Sequence, residues 1–338
     1  MIQALKMTNH NRSRRNWAPL VALIFLMSIT NAKAAVVSRP LSVELELYAF
    51  RHASGDSHTS RARRHDLEKI AKYFQTQNVE SIYDISPEKI RDFITTRLAS
   101  REAASTVARR FWTLRHFFKN CADADQTLSD PTRSVLPPRL SKTQPKWLRA
   151  DQVSHLRQSA DQPRDRFILE LMLRGNLRRA EVVELNLENW NLSEMLISEA
   201  QRKFNFIHNI PISDSMLSAW QAYAPEREEL LLKKEPGYLN FSDALKGRYP
   251  LLVSNYKNIS GRPESFRLSE KSIYSIVKRI NPAIHPHMLR HTAAHDFVTA
   301  TGDLDLTMEY LGITNVSVAR RYTSRTTEEV REALKKIK

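Results

Sequence analysis

The sequence contains only one cysteine, Cys121, among its 338 residues. A single cysteine cannot form a disulfide within the chain, and it cannot supply the several thiolates of a structural zinc site. The histidines scattered outside the motifs described below show no metal-ligand spacing, so we predict no metal site. Internal repeats and low-complexity segments are also absent, which excludes a repeat array and favours ordinary globular domains.

Long apolar runs are equally scarce, and the most prominent one lies near the N-terminus. Residues 17–29 follow several basic residues and precede a small-x-small cleavage pattern at 32–34, which together are typical of a secretory signal. The run is short for a membrane span. Because Met27 offers a second start, we interpret residues 1–39 as a signal-like or mis-started extension, and we expect a cytoplasmic, nucleoid-associated protein without a membrane partner. An exported protein is the alternative.

Acidic residues are too few to balance the basic ones. The chain has 52 lysines and arginines against 37 acidic residues, which gives a formal net charge of +15. This charge favours a polyanionic partner, because each phosphate that a protein neutralises releases counterions. Composition alone leaves open a soluble protein that is merely basic, so the motifs must decide between the two interpretations.

The hydropathy pattern predicts two domains. Residues 40–130 show the apolar spacing of four helices, and prolines then punctuate a linker over 131–146. Residues 147–338 combine helices with two short strands, at 196–198 and 204–212, which a turn joins. The predicted fold class is therefore mainly α with a small β-sheet, in which a helical N-terminal domain precedes an α+β C-terminal domain.

The sequence also predicts two helix starts and a set of solvent-exposed arginines. Ser86 can cap a helix whose first residue is Pro87, where a missing backbone N–H costs nothing. Asp151 is the predicted start of the first helix after the linker. Arginines on the solvent faces of the N-terminal helices could follow a phosphate backbone, although a solvated face is the simpler explanation for any single one. They are Arg61, Arg63, Arg64, Arg109, Arg110 and Arg115.

The C-terminal half contains an ordered set of residues suited to phosphoryl transfer: Arg178, His287, Arg290 and Tyr322. The transition state of such a reaction carries negative charge on its non-bridging oxygens, which guanidinium groups can hold while a hydroxyl attacks in line. Attack by a tyrosine would leave a covalent protein–DNA link. Each residue also has an ordinary explanation; Arg178, for example, could simply pair with Glu181.

The order and spacing of these residues resemble the tyrosine recombinase (phage integrase) family over residues 41–338. Residues 177–182 read Leu-Arg-Arg-Ala-Glu-Val and match the family's Leu-Arg-x-x-Glu-(Val/Leu) helix. This register selects Arg178 as the first catalytic arginine, with Arg179 as runner-up. The Ile-Pro-Ile strand at 210–212 matches the strand that follows the family lysine and selects Lys203. The other matched positions are the His-x-x-Arg pair His287 and Arg290, the dipeptide Leu311-Gly312, and the nucleophile Tyr322.

The resemblance implies a core-binding domain over 40–130 and a catalytic domain over 147–338. It implies a site-specific recombinase that cleaves and rejoins double-stranded DNA through a 3′-phosphotyrosine, as a homotetramer on two paired sites, with no cofactor and no metal. The implied roles are attack by Tyr322, retention of the non-bridging oxygens by Arg178 and Arg290, protonation of the leaving 5′-oxygen by Lys203, and positioning or deprotonation of the tyrosine by His287.

One position departs from the family pattern. Ile313 stands where the family has a histidine or tryptophan after Leu-Gly, so we expect this chain to lack the hydrogen bond that such a ring would donate to the scissile phosphate. This departure keeps open a catalytically weakened or inactive DNA-binding accessory protein on the same fold. A topoisomerase IB-like enzyme or hairpin-forming resolvase, which would rejoin DNA without exchanging partners, is a further alternative.

Overall fold

The computed structural model describes residues 39–55, 57–125, 128–141, 145–202, 206–255, 263–323, 331, 334 and 335. Lys203 lies outside these ranges, as does the predicted extension except for its last residue. The chain divides into two compact units, Met1–Lys142 and Thr143–Lys338. Among the residues described, no helix combines the length and apolar character that a membrane span requires.

The N-terminal unit holds four α-helices in its described part, as the periodicity predicts. They are α1 (Leu41–Ala53), α2 (His58–Thr76), α3 (Pro87–Ala99) and α4 (Ala104–Ala124). The predicted start of α3 is confirmed, because the Ser86 hydroxyl accepts a hydrogen bond from the Lys89 N–H at 3.4 Å and Pro87 is the first helical residue. The helices share one core in which Phe74, Phe93 and Phe111 are fully buried. Burial of each such ring contributes on the order of 2 kcal/mol to folding.

The C-terminal unit contains the remaining described helices. They are α5 (Ala150–Gln158), α6 (Pro163–Leu173), α7 (Arg179–Glu184), α8 (Asp214–Lys234), α9 (Asp243–Gly247), α10 (Glu270–Ile280), α11 (Pro286–Thr301), α12 (Leu304–Leu311) and α13 (Val316–Ala319). Helix α5 begins one residue before the predicted start at Asp151, because the Gln152 side chain accepts the Arg149 N–H at 3.0 Å and so caps the earlier turn.

Helix α6 forms the centre of the C-terminal unit. Its apolar residues are buried on every side, including Phe167, Ile168 and Leu171 at 0% exposure. A helix whose apolar residues are buried all round is stable only inside a core, and α6 packs against α8, α11, α10 and α7. Arg178 directly precedes α7, and Arg290 lies on α11. Because both helices pack against α6, this one core helix supports both predicted catalytic arginines.

A three-stranded antiparallel sheet lies beside these helices, in the order β1 (Trp190–Asn191), β2 (Leu196–Arg202), β3 (Phe206–Pro211). The sequence predicts only two strands, because β1 has two residues and shows no alternation. It also ends the first predicted strand at 198, whereas β2 continues to Arg202 because its ladder to β3 resumes beyond an irregularity and pairs Arg202 with Phe206. In the sequence, Lys203 therefore comes directly after β2 and before β3.

Candidate active site

The segment before Arg178 is a tight turn that only particular residues can form. A Cβ at Gly175 would lie 2.6 Å from the Leu171 carbonyl oxygen, so no larger residue fits there. Asn176 follows with a φ of 49° and is fully buried, in the left-handed region that asparagine tolerates better than most residues. This turn places Arg178 directly before α7, where it is the N-cap residue and not, as the resemblance implies, a residue of the helix.

Glu181 holds both predicted catalytic arginines. One of its carboxylate oxygens accepts the backbone N–H of Arg178 at 2.7 Å, and the other contacts the Arg178 guanidinium group. Nη1 of Arg290 lies 3.6 Å from the same carboxylate. The pairing of Arg178 with Glu181 that the sequence leaves open is therefore real. Glu181 is only 6% exposed, so its carboxylate is held in place by the surrounding protein. It therefore keeps the two guanidinium groups close to each other.

Arg290 on α11 ties three segments together. Its guanidinium group donates to the carbonyl oxygen of Asn176 and, at 2.7 Å, to that of Leu311. Gly312 ends α12 with a φ of 59°, which turns the chain away and leaves the Leu311 carbonyl available to Arg290. The Leu-Gly dipeptide thus has a structural role at the site. Arg290 is 3% exposed and is held from several directions, which preorganises it.

A cleft of about 460 Å³ lies in front of these arginines. Its lining includes Arg178, Arg290 and His287 together with Lys278, an arrangement that suits an anion. Arg179 also lines the cleft, but it pairs with Glu270 at 3.0 Å and is not bound to Glu181. This geometry favours Arg178 over Arg179 as the partner of Arg290.

His287 stands in the first turn of α11 and faces the cleft. Desolvation by the surrounding protein, together with the positive charges of Arg290 and Arg178, lowers the pKa of His287 below its ordinary value. Its ring meets the ring of His291, one turn later on the helix, edge to face at 4.4 Å. His287 is therefore uncharged at neutral pH and contacts a second histidine.

Tyr322 lies in the turn that follows α13 and is 7% exposed. Its hydroxyl is 3.0 Å from Nδ1 of His291, and its backbone carbonyl oxygen is 3.2 Å from Nδ1 of His295. Burial raises the pKa of the Tyr322 phenol and, with the charges of His287, Arg321 and Arg290 adding to it, lowers the pKa of His291 to about 4. At neutral pH a protonated phenol thus meets a neutral imidazole.

Ile313 contributes packing at the position where the family has a polar ring. Its side chain joins a small apolar cluster with Val298, Leu311 and Tyr322. An aliphatic side chain has no hydrogen-bonding group, so it cannot contact a phosphate as histidine or tryptophan can. The isoleucine instead packs against the apolar cluster that includes the tyrosine.

Sequence reasoning missed three residues of this site: Glu181 as a shared anchor, and His291 and His295 as partners of Tyr322. A signal for His291 was present, since it follows His287 by four residues and so shares its helix face. The contact of His295 with a backbone carbonyl carries no sequence signal. The predicted residue Lys203 lies outside the described residues.

Comparison with known proteins places this geometry in a family. Residues 146–329 match the phage integrase family, and residues 50–124 match the phage integrase N-terminal SAM-like domain. The chain belongs to the phage integrase family. It is thus a member of the tyrosine recombinases, which cleave and transfer DNA strands, and the predicted fold class is confirmed.

Curated relatives of this integrase-family protein cover most of its length. It is 29% identical over 281 residues to tyrosine recombinase XerC of Thermodesulfovibrio yellowstonii. The aligned residues cover 80% of this chain and 86% of the relative. It is 26% identical over 287 residues to tyrosine recombinase XerD of Staphylococcus haemolyticus, with 81% and 90% covered.

Solved structures of the same fold are more distant in sequence. XerH site-specific recombinase bound to a palindromic difH substrate, in a post-cleavage complex, aligns with a TM-score of 0.66 at 16% identity, covering 96% of this chain and 90% of that one. A lambda integrase tetramer bound to a Holliday junction aligns with a TM-score of 0.63 at 16% identity, covering 93% and 88%. At these identities the likeness shows the fold.

The arginines predicted to contact DNA in the N-terminal unit differ in their surroundings. Arg110 is 4% exposed and binds Glu102 at 2.5 Å, so its predicted place on the solvent face is wrong. It lies on the inner side of α4, where helical rotation carries it to the core. Arg63 and Arg64 donate to backbone carbonyl oxygens at the C-terminal end of α1 and just beyond it. Arg109 pairs with Asp66.

Arg115 keeps a position suited to a polyanion. Its guanidinium group lies 5.4 Å from the ring centroid of Trp112, whose side chain is 51% exposed. Both residues line a groove of about 910 Å³ on α2 and α4, which Arg63, Arg109 and Lys119 also line. Arg61 is exposed on α2. Five of the six predicted arginines thus remain candidates for DNA contact.

Proposed function

We propose that this protein is a site-specific DNA recombinase in which Tyr322 cleaves one strand and forms a 3′-phosphotyrosine. The observation that carries the proposal is the common placement of Arg178 and Arg290, which share Glu181 at one cleft. Tyr322 is connected to that cleft through His291 and His287. The family to which the chain belongs supports the same reaction.

In this proposal the two arginines hold the non-bridging oxygens of the scissile phosphate. Arg290 is fixed by Asn176 and Leu311, so it does not reorganise as negative charge develops. Arg178 is more exposed, at 31% for its side chain, and closes on the phosphate from the cleft side. The guanidinium fork suits two oxygens at once, which an ammonium group does not.

Proton transfer is assigned to the remaining residues. Lys203, which belongs to the connection between β2 and β3, would protonate the leaving 5′-oxygen. His287 is neutral and lies at the cleft beside Arg290, where it positions the phosphate and reaches Tyr322 only through His291. The phosphotyrosine conserves the energy of the broken bond, so rejoining needs neither ATP nor a metal ion.

Double-stranded DNA is the proposed partner, and a homotetramer on two paired sites is the proposed assembly. Support comes from the net charge of +15, the groove that contains Trp112 and Arg115, and structural relatives that were solved on DNA as dimers or tetramers. In this proposal residues 40–130 form the core-binding domain, 131–146 the linker and 147–338 the catalytic domain. With a DNA substrate of this kind, the enzyme would act in the cytoplasm, at the nucleoid.

Covalent trapping on a nicked target tests the proposal. When the strand is nicked near the cleavage position, a short product diffuses away and the phosphotyrosine accumulates. The full-length protein should give a DNA adduct on a denaturing gel, and Tyr322→Phe should give none while it binds DNA normally. Binding without any wild-type adduct would indicate an accessory protein, and an adduct in the Tyr322→Phe variant would disprove the assignment of the nucleophile.

Strand exchange distinguishes recombination from simple relaxation or hairpin resolution. A plasmid with two target sites should be recombined, whereas a plasmid with one site should not be relaxed efficiently. Relaxation of the one-site plasmid at the same rate would favour the topoisomerase-like alternative.

A further inference from the structure

Two histidines on α11 bind the two ends of the same tyrosine. His291 and His295 are one helical turn apart and point to the same side of the helix. His291 contacts the phenolic oxygen of Tyr322 at 3.0 Å, and His295 contacts its backbone carbonyl oxygen at 3.2 Å. The side chain and the backbone of the nucleophile are therefore both set by one rigid element.

The contact of His295 indicates which of its ring nitrogens carries a hydrogen. A carbonyl oxygen can only accept a hydrogen bond, so Nδ1 of His295 must carry the hydrogen. The His295 ring is 7% exposed and stacks on Trp147 at 4.1 Å with an interplanar angle of 17°. The stacking and the hydrogen bond together orient the ring with Nδ1 towards the carbonyl oxygen of Tyr322.

The surroundings of His291 keep its imidazole neutral and in contact with the phenol before the reaction. Its ring is half-buried between His287 and Tyr322, at centroid distances of 4.4 and 5.6 Å. Arg290 and Arg321 also add positive charge near this group. A positive field stabilises a phenolate as it forms, and it keeps the imidazole neutral before the reaction.

We propose that His291 is the catalytic base that takes the phenolic proton of Tyr322, and that His295 is a positioning residue that holds the tyrosine backbone. The assignment rests on the proposed function of Tyr322 as the nucleophile. It moves the role of base from His287, for which the structure shows no contact with the phenol, to the next histidine on the same helix face.

The step balances without any further reactant. The phenolic proton moves to Nδ1 of His291, the Oη–phosphorus bond forms, and the bond from phosphorus to the 5′-oxygen breaks. The electron pair of the broken bond stays on the 5′-oxygen, which takes a proton from Lys203. In rejoining the 5′-hydroxyl returns its proton to Lys203, and the departing phenolate recovers its proton from the His291 imidazolium.

Single-turnover cleavage of nicked DNA tests the role of His291. His291→Gln keeps a polar side chain that can bond to the phenol but cannot take its proton, so cleavage should slow by about 100-fold with DNA affinity unchanged. A rate within threefold of wild type would overturn the proposal. Because wild-type cleavage is measured in parallel, loss of the proposed function itself would show as absence of the wild-type adduct.

A substrate with sulfur in place of the 5′-bridging oxygen separates the base from the acid. A thiolate leaves without a proton, so this substrate should restore cleavage by the control variant Lys203→Ala. It should not restore His291→Gln relative to wild type, because the tyrosine still has to lose its proton. Restoration of His291→Gln would show that His291 serves the leaving group, and the proposal would be rejected.

The tautomers of the unaltered protein give a test that needs no variant. In ¹⁵N-histidine-labelled full-length protein, His291 should carry its hydrogen on Nε2, which leaves Nδ1 free to accept, and His295 should carry it on Nδ1. The Nδ1–H tautomer at His291 would contradict the proposal, because that nitrogen would then donate to the phenol.

Two substitutions test the positioning role of His295. His295→Gln retains a donor for the Tyr322 carbonyl, whereas His295→Leu does not. The leucine variant should lower the single-turnover cleavage rate at unchanged DNA affinity, and the glutamine variant should recover most of that loss. Equal rates for the two variants would mean that the hydrogen bond does not position the tyrosine.

Discussion

Each of the two units of this protein contains a buried carboxylate that lies beside two arginines, and the surroundings of the two carboxylates differ. In the N-terminal unit, the buried carboxylate of Asp66 contacts Arg109 and lies 3.4 Å from Nε of Arg110. In the C-terminal unit, Glu181 contacts Arg178 and lies 3.6 Å from Nη1 of Arg290. In both, one arginine is almost fully buried and the other is partly exposed.

The difference lies in what the exposed side of each pair faces. Beside Asp66, the buried arginine also binds Glu102, and the exposed Arg109 lines the groove of the N-terminal unit, away from the predicted nucleophile in sequence. Beside Glu181, the pair opens on a cleft with His287, and Tyr322 is connected to that cleft through His291. Two arginines on one carboxylate are therefore a structural motif, and the groups that adjoin them decide whether they serve chemistry.

The largest expected contrast is in cleavage. Arg178→Lys and Arg290→Lys should each slow adduct formation by about 100-fold or more, because lysine keeps the charge but loses the planar fork that holds two phosphate oxygens. Arg109→Lys should leave the chemical step unchanged. The rates should be measured in single turnover with saturating protein.

The matched control in the same cleft is Arg179→Lys, which should cleave within a few-fold of wild type. A severe loss at 179 with a mild loss at 178 would mean that the register of the clamp is shifted by one residue.

The carboxylates themselves give the next contrast. Glu181→Gln should lower the free energy of unfolding by about 2–3 kcal/mol, since it removes the carboxylate charge beside the buried Arg290. Asp66→Asn should lower it by less, since the buried Arg110 keeps its ion pair with Glu102. Urea denaturation measures this effect. Only Glu181→Gln should also reduce cleavage by the folded fraction, and equal activities in the two variants would remove the functional distinction between the pairs.

A smaller effect is expected at the groove of the N-terminal unit. Arg115→Ala should weaken DNA binding several-fold and lower the slope of log affinity against log salt by about 1, because one phosphate contact is lost. Arg101→Ala, at an exposed turn away from that groove, is the control. An unchanged slope for Arg115→Ala would remove this residue from the DNA contacts.

The last expected effect concerns the pH dependence of stability and not DNA cleavage or binding. Because the pKa of His291 falls to about 4 in the folded protein, the unfolded chain binds a proton at higher pH than the folded chain does. This residue therefore contributes stability that is present above pH 6.5 and is lost as the pH falls towards 4. His291→Gln should flatten the pH dependence of unfolding in that window, as measured by urea titrations at several pH values.

Much of the fold could be predicted from local patterns. The helices have clear 3.6-residue periodicity and recognisable caps, such as Ser86 with Pro87, because these signals depend on neighbours in sequence. Strand β1 was missed because two residues carry no alternation, and the length of β2 was missed because pairing with β3, and not its own composition, extends it to Arg202.

The candidate site was predicted in part. The motifs identified Arg178, His287, Arg290 and Tyr322, and the structure connects all four around one cleft. The solvent-facing position of Arg110 was wrong, since its burial follows from how α4 rotates against the core. Charge alone could not distinguish an arginine that pairs inside a core from one that faces a partner.

The sequence by itself determined the chemistry that is available: two arginines, histidines and a late tyrosine at family spacing, on a strongly basic chain. Only the tertiary structure decided which of these groups touch. Glu181 meets Arg290 and His291 meets Tyr322 across 109 and 31 positions of chain, respectively, because α6 supports α7 and α11 together and the turn at Gly312 returns the chain to the helix. Such contacts depend on packing between distant segments, which no local pattern encodes.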